Sequence, residues 1–247
     1  MTIKTKGLIL REQTLGESDR LVWVLTQDEG LVRAFARRAK SLKDSKNAGT
    51  SLLCYSRLTL SRGREHTYIN DAFPEEAFFG LREDLLRLAL AQYFCGLASE
   101  IVPEGVEAGE ILRLILNALH FLATGAREPA FLKPIVEMRM LSLSGYMPDL
   151  ICCKNCGKYE DDRMLFKYGR GELYCQDCYV NNGDPFVSLS RGALTALRHI
   201  VYSDFEKVFA FSVSPQAQEE LTRAAEAYSV HILQRRLKTL DFYTSLL

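Results

Sequence analysis

Four of the seven cysteines in this chain are spaced for chemistry. Cys153-Lys-Asn-Cys156 is followed, after eighteen residues, by Cys175-Gln-Asp-Cys178. Two C-x-x-C pairs at this separation predict a four-sulfur metal site. Each pair makes a turn that points two thiolates at one ion, and four sulfurs at about 2.3 Å close a tetrahedron with no position left for a catalytic water. Zinc is the expected ion, one per chain and structural, although iron takes the same sulfurs. Gly157 gives the first turn its backbone freedom, and Lys154, Lys158 and Lys167 are near enough in sequence to offset the site's charge. Cys152 offers an alternative register to Cys153.

The second group of chemically suggestive residues is basic. Residues 1–70 carry 13 Lys/Arg against 7 Asp/Glu, while the net charge of the whole chain is zero. Positions 33–64 carry nine basic residues and one acid, Asp44. A basic front on an acidic body is suited to a polyanion; the plainer alternative is a solvated lysine-rich loop. Strand alternation favours the first. In 31–37 it puts Arg33, Phe35 and Arg37 on one face and Val32, Ala34 and Ala36 on the other. In 55–61 it puts Tyr55, Arg57 and Thr59 opposite Ser56, Leu58 and Leu60. Arg38, Lys40, Lys43 and Lys46 follow in a polar segment. Cations interleaved with aromatic rings suit single-stranded nucleic acid, whose phosphates need charge and whose bases stack. The competing reading is that Phe35 and Tyr55 pack against the helical domain while the cations are solvated.

The elements that must position these residues divide into two kinds. Five runs, 6–11, 20–26, 31–36, 52–61 and 67–73, read as short strands. Turns at Asp28-Glu29-Gly30 and Arg62-Gly63-Arg64 join two of the pairs, and residues 37–50 form one long excursion. The pattern is compatible with a small closed barrel, OB-fold or SH3-like. From residue 81 the apolar period becomes that of helices, over 81–101, 107–123, 129–144, 190–202 and 214–241. Residues 150–182 interrupt them with the cysteine pairs. The expected architecture is α+β and multidomain. A barrel spans 1–79 and a helical domain 80–247, with a zinc-ribbon insertion at about 150–182.

No run approaches the ~20 apolar residues a membrane helix requires, and the N-terminus lacks the features of a secretory signal, which points to the cytoplasm. There is no phosphate-binding loop, no G-x-S-x-G, no H-E-x-x-H, and the four histidines are scattered. His120 reads as a bundle residue and His66 as exposed. These observations give no support for an enzyme.

Four stretches precede Cys153 in order: Lys6-Gly-Leu-Ile-Leu-Arg11, Gly16-Glu-Ser-Asp19, Gly30-Leu-Val-Arg-Ala-Phe-Ala-Arg37 and Leu143-Ser-Leu-Ser-Gly-Tyr-Met-Pro148. With them, the order of parts resembles the RecO family of bacterial recombination mediators across essentially the whole chain. The resemblance implies an OB-fold that binds single- and double-stranded DNA and anneals complementary strands. It also implies contacts with RecR and with the acidic C-terminal tail of single-strand-binding protein, so that RecA is loaded indirectly, in the cytoplasm at the nucleoid. The family's DNA-facing cations map onto Arg33, Arg37 and Arg38, with Lys40 and Lys43 in the loop that follows. Because some members lack the cysteines, the resemblance implies a structural metal. Arg113 and Arg139, cations on apolar helices, are candidates for the tail contact or are surface arginines snorkelling along their helices. Two other readings remain: a protein–protein adaptor that does not touch DNA, and a zinc-ribbon factor acting on RNA or in transcription.

Overall fold

Five strands close into a barrel because alternate residues on each bury one apolar face. In the computed structural model, which describes residues 2–41 and 46–247, these are β1 (Thr2–Leu15), β2 (Asp19–Thr26), β3 (Gly30–Ala36), β4 (Tyr55–Arg62) and β5 (Thr67–Glu76). Their order around the barrel is β1-β2-β3-β5-β4, with β4 returning to β1 and a parallel pairing of β3 with β5. This is the OB-fold arrangement, which removes the SH3-like alternative. The interior is filled by Ile9, Val22, Val24, Ala34, Ala36, Leu58, Leu60, Ile69 and Ala72 among others. Val32, Ala34 and Ala36 face in, as alternation requires.

β1 runs well beyond the expected 6–11 because it serves two partners. Thr2–Leu8 pair with β4 and Gly7–Leu15 with β2, so polar residues at both ends are held by ladders rather than by burial. The turn into β3 needs a glycine: Gly30 has φ +59°, and a Cβ there would lie 2.4 Å from the Pro103 carbonyl oxygen. Within the long excursion, α1 (Lys46–Gly49) is a single helical turn lying on β5. Gly49 sits so close to Ala72 that a Cβ would be 2.7 Å from its carbonyl oxygen. β4 starts at Tyr55 rather than at residue 52, because Leu53 takes a left-handed conformation (φ +63°) and turns the chain into the strand.

Compactness does not follow the change from strands to helices after residue 79. One unit comprises residues 1–126 and 237–247, the other 127–236. The first therefore adds to the barrel α2 (Leu85–Ile101), α3 (Gly109–Thr124) and α7 (Lys238–Thr244). Asp84 caps α2, accepting from the N–H groups of Leu86 and Arg87. Gly125 closes α3 in the left-handed conformation. The expected helix over 214–241 is two helices: Gln234 turns left-handed (φ 54°) and ends the first, and α7 packs on α2.

The second unit holds α4 (Pro129–Leu143), α5 (Arg191–Tyr202), α6 (Pro215–Leu233) and a three-stranded sheet. Its strands β6 (Arg163–Lys167), β7 (Glu172–Cys175) and β8 (Val187–Ser190) lie in the order β7-β6-β8. The β6–β7 hairpin lies between the cysteine pairs, within the expected zinc-ribbon insertion; β8 extends it. α4 is buried continuously from Leu132 to Ser142, as befits a helix apolar on most sides. The Lys133–Glu137 ion pair, 2.8 Å, lies inside it and is joined by Glu226 on α6.

Candidate nucleic-acid interface and metal centre

The outward face of β1, β2 and β3 carries a line of charge and rings that the register dictates. Arg11 on β1 pairs with Trp23 on β2, which pairs with Arg33 on β3. The Arg11 guanidinium lies 4.6 Å from the indole centroid and that of Arg33 5.6 Å. Two residues on, Phe35 pairs with Tyr68 of β5, their ring centroids 5.9 Å apart, and His66 adds a ring 4.9 Å from Phe35. Arg37 lies 4.8 Å over Tyr68. Arg33 and Arg37 are exposed, Phe35 and Tyr68 half-buried. In OB-folds this strand 2–3 face is the one that takes oligonucleotides.

The long basic loop is fastened to the barrel at both ends by consecutive residues. Asp19 accepts from the Arg38 N–H at 2.9 Å and from Ser18 Oγ at 3.0 Å, and these bonds hold its carboxyl below the usual range. Arg38 itself is left-handed, φ 56°. The Lys40 N–H donates to the Ser18 carbonyl at 3.0 Å. Arg20 ties down the far end, donating to the Asn47 carbonyl (2.8 Å), Thr50 Oγ1 and Ser51 Oγ. Asp19 and Arg20 thus set where Arg38 and Lys40 emerge. Lys43 lies outside the described residues.

Tyr55 and Arg57 do not join this face. Arg57 pairs with Phe73, five positions along β5 from Tyr68, which is about 17 Å along a strand at roughly 3.3 Å per residue. Arg57 also shares Glu75 with Lys6, whose ammonium is 2.8 Å from that carboxylate. By contrast, Arg11, Arg33, Arg37, Arg38 and Lys40 have no ion-pair partner among the described residues. The separation was hidden because alternation within a strand says nothing about which strands adjoin. Trp23, Arg11, Tyr68 and His66 are the members that strand-by-strand reading missed. Counting back through the Asp28-Glu29-Gly30 turn would have set Trp23 opposite Arg33.

In the second unit the four expected sulfurs converge. The Sγ atoms of Cys153, Cys156, Cys175 and Cys178 all lie within 4.8 Å of one another, and Cys152 is outside the group. Cys156 and Cys175 are 3.7 Å apart, close to the edge of a tetrahedron with metal–sulfur bonds of about 2.3 Å. The first knuckle is folded by the Gly157 N–H bonding to the Cys153 carbonyl (2.9 Å) and the Cys153 N–H to that of Lys158 (2.8 Å). The Lys154 N–H reaches the Leu173 carbonyl and so ties the knuckle to the hairpin.

The protonation of these sulfurs fits a dication. Burial pushes the Cys153 thiol up, but the N–H groups of Cys175, Cys156 and Asn155 outweigh it and bring it to about 6. Its neighbours go the other way: Cys178 is held at about 12, first by Cys156 and then by Cys175, and burial raises Cys175. Cys153 ionises readily while Cys175 and Cys178 resist, a conflict that a bound cation removes.

The nearby lysines serve carboxylates rather than the sulfurs. Lys158 bridges Asp161 (3.1 Å) and Asp177 (2.9 Å), and Lys154 lies between Asp149 and Glu172. Lys167 is buried between the rings of Tyr174 and Tyr179 and donates to Asn182. Sequence reasoning also missed Arg198. From α5 it donates to the carbonyls of Leu150, Ile151 and Tyr159 and stacks 3.9 Å over the Tyr159 ring, clamping both flanks of the first knuckle. Arg139 is buried rather than snorkelling, and donates to the Ile200 and Val201 carbonyls at the end of α5. Arg113 and His120 are exposed on α3, so His120 is not a bundle interior residue.

Comparison with known proteins matches both parts of the chain to one family. The family described as Recombination protein O N terminal matches residues 1–78, and Recombination protein O C terminal matches residues 82–241. The chain is 32% identical over 244 residues to DNA repair protein RecO of Acetivibrio thermocellus, covering 99% of this chain and 97% of that protein. It is 30% identical over 243 residues to DNA repair protein RecO of Symbiobacterium thermophilum, covering 97% and 96%. DNA repair protein RecO of Dehalococcoides mccartyi is 30% identical over 244 residues, covering 98% and 95%. With its OB barrel, its four-cysteine cluster and these matches along nearly its whole length, the chain belongs to the RecO family of DNA repair proteins.

Proposed function

We propose that this chain is a non-enzymatic recombination mediator that holds DNA, single- or double-stranded, on the β2–β3–β5 face of its barrel and anneals complementary strands. The observation that carries this is the set of cations without acidic partners, Arg11, Arg33, Arg37, Arg38 and Lys40, interleaved with Trp23, Phe35 and Tyr68. Phosphates pair with the guanidinium groups while unstacked bases meet the rings of Phe35 and Tyr68. Work in concert with RecR, and with the acidic tail of single-strand-binding protein so that RecA is loaded, belongs to the same proposal, and membership of the family supports it. A structural zinc ion on Cys153, Cys156, Cys175 and Cys178 completes the reading; four thiolates around one ion supply folding energy and no chemistry.

Binding of a labelled single-stranded oligonucleotide at two salt concentrations tests it. Affinity should fall steeply with salt, by a log–log slope of about 0.7 per phosphate contact. Arg33→Ala with Arg37→Ala should lower that slope by about 1.4 while the melting temperature holds. Negligible binding at both salts would turn the reading to an adaptor that does not touch DNA, and equal preference for RNA of the same sequence would favour the RNA or transcription factor.

A further inference from the structure

We infer that Arg11, Trp23 and Arg33 form a phosphate clamp, in which the indole fixes two guanidinium groups and is not itself a surface for base stacking. The inference rests on the nucleic-acid reading of the barrel face and assigns work within it to two residues, Arg11 and Trp23. Trp23 is the one tryptophan of the chain and sits half-buried on the middle strand of three. Its neighbours in register, Arg11 and Arg33, come from the strands on either side and lie 4.6 and 5.6 Å from its ring centroid. With a guanidinium drawn to it from the strand on each side, the ring is already engaged within the protein. The stacking surface of this interface is instead Phe35, Tyr68 and His66, further along the same face.

A guanidinium lying against a ring keeps its N–H groups directed outward in its own plane, where a phosphate is met by two parallel hydrogen bonds. Holding a long side chain in that pose beforehand removes part of the ordering cost of binding. Neither arginine has a carboxylate partner among the described residues, so its charge is not spent within the protein. Lys6 and Arg57 on β1 and β4 show the contrast, since both lean on Glu75. The spacing of the two arginines follows from the sheet: two strand separations, ~10 Å between their Cα atoms, with the indole between them.

The fluorescence of the single tryptophan makes the clamp directly observable. The full chain is titrated with an oligothymidylate and with an abasic deoxyribose-phosphate strand of equal length. The clamp requires that the emission change be the same for both. Strong quenching by the thymidylate alone would overturn it, because the indole would then be stacking on bases. In parallel, Trp23→Phe should bind within about twofold of the parent, and Trp23→Leu should lower the salt slope by about 0.7 to 1.4, the loss of one or two phosphate contacts. Arg11→Met keeps the packing on the indole and should lower the slope by about 0.7 with an unchanged melting temperature. A parental slope in both Trp23→Leu and Arg11→Met would overturn the clamp while leaving binding by the rest of the face intact. Failure of the parent chain to bind either strand would overturn the nucleic-acid reading itself.

Discussion

Cys175 sits at the junction of β7 and the second knuckle, fully buried, with the Cys156 sulfur 3.7 Å away. Replacing it with serine removes one of four thiolates and leaves a hydroxyl too weakly ionised to take its place. Cys175→Ser should therefore abolish stoichiometric zinc and lower the melting temperature by several degrees, with little change in oligonucleotide affinity. Metal analysis and calorimetry check this; full metal content and unchanged melting would rule out the site. A chelator should reproduce the effect on the parent chain, because metal binding here is folding energy. Arg198 belongs to the same scale. Its three carbonyl contacts make it the residue that seats the knuckle on α5, and nothing in its local sequence announces that.

At the scale of elements, one carboxylate of α6 ties two strands of the three-stranded sheet. Glu220 accepts from the Ser190 N–H at 2.7 Å and from Arg163 at 2.9 Å, on strands β8 and β6. Burial pushes its carboxyl up, but the bonds from Ser190 and the Arg163 charge prevail and hold it below the usual range. A carboxylate with a depressed folded-state pKa contributes stability that is present above its unfolded pKa, about 4.3, and lost as the pH falls through the folded value. The stability of the parent chain should accordingly decline below about pH 4.5. Glu220→Gln should remove part of that decline and cost about 2 kcal/mol at pH 7, where the Arg163 charge loses its partner. Denaturant melts at pH 7 and pH 4 check both; an identical acid limb in the variant would show that another group is responsible.

For the molecule as a whole, net charge is zero, so attraction to a polyanion has to come from how the charge is arranged. The free cations of the barrel face are mostly arginines, which stay protonated throughout the accessible range. Oligonucleotide affinity at fixed salt should thus change by less than about threefold between pH 7 and pH 9, although the whole chain becomes negative. A loss of an order of magnitude, read by fluorescence anisotropy, would mean that lysines or the overall charge dominate. No helix among the described residues is long and apolar enough to cross a membrane.

The metal cluster was legible in the sequence because its ligands come in two local turns, each set by a C-x-x-C spacing that needs no distant partner. The five strands and the inward faces of β3 and β4 were legible for the same reason: period and turn chemistry are local. What tertiary structure decided was adjacency. Barrel closure put Arg11, Trp23, Arg33 and Phe35 on one face with Tyr68 and sent Tyr55 and Arg57 to another, next to Glu75. It also drew α7 back to α2, through a left-handed Gln234 that no helix-stop residue foretold. Charge obeys the same rule. A list of cations can be read from sequence, but which of them keep their charge for a ligand depends on carboxylates that arrive from other strands.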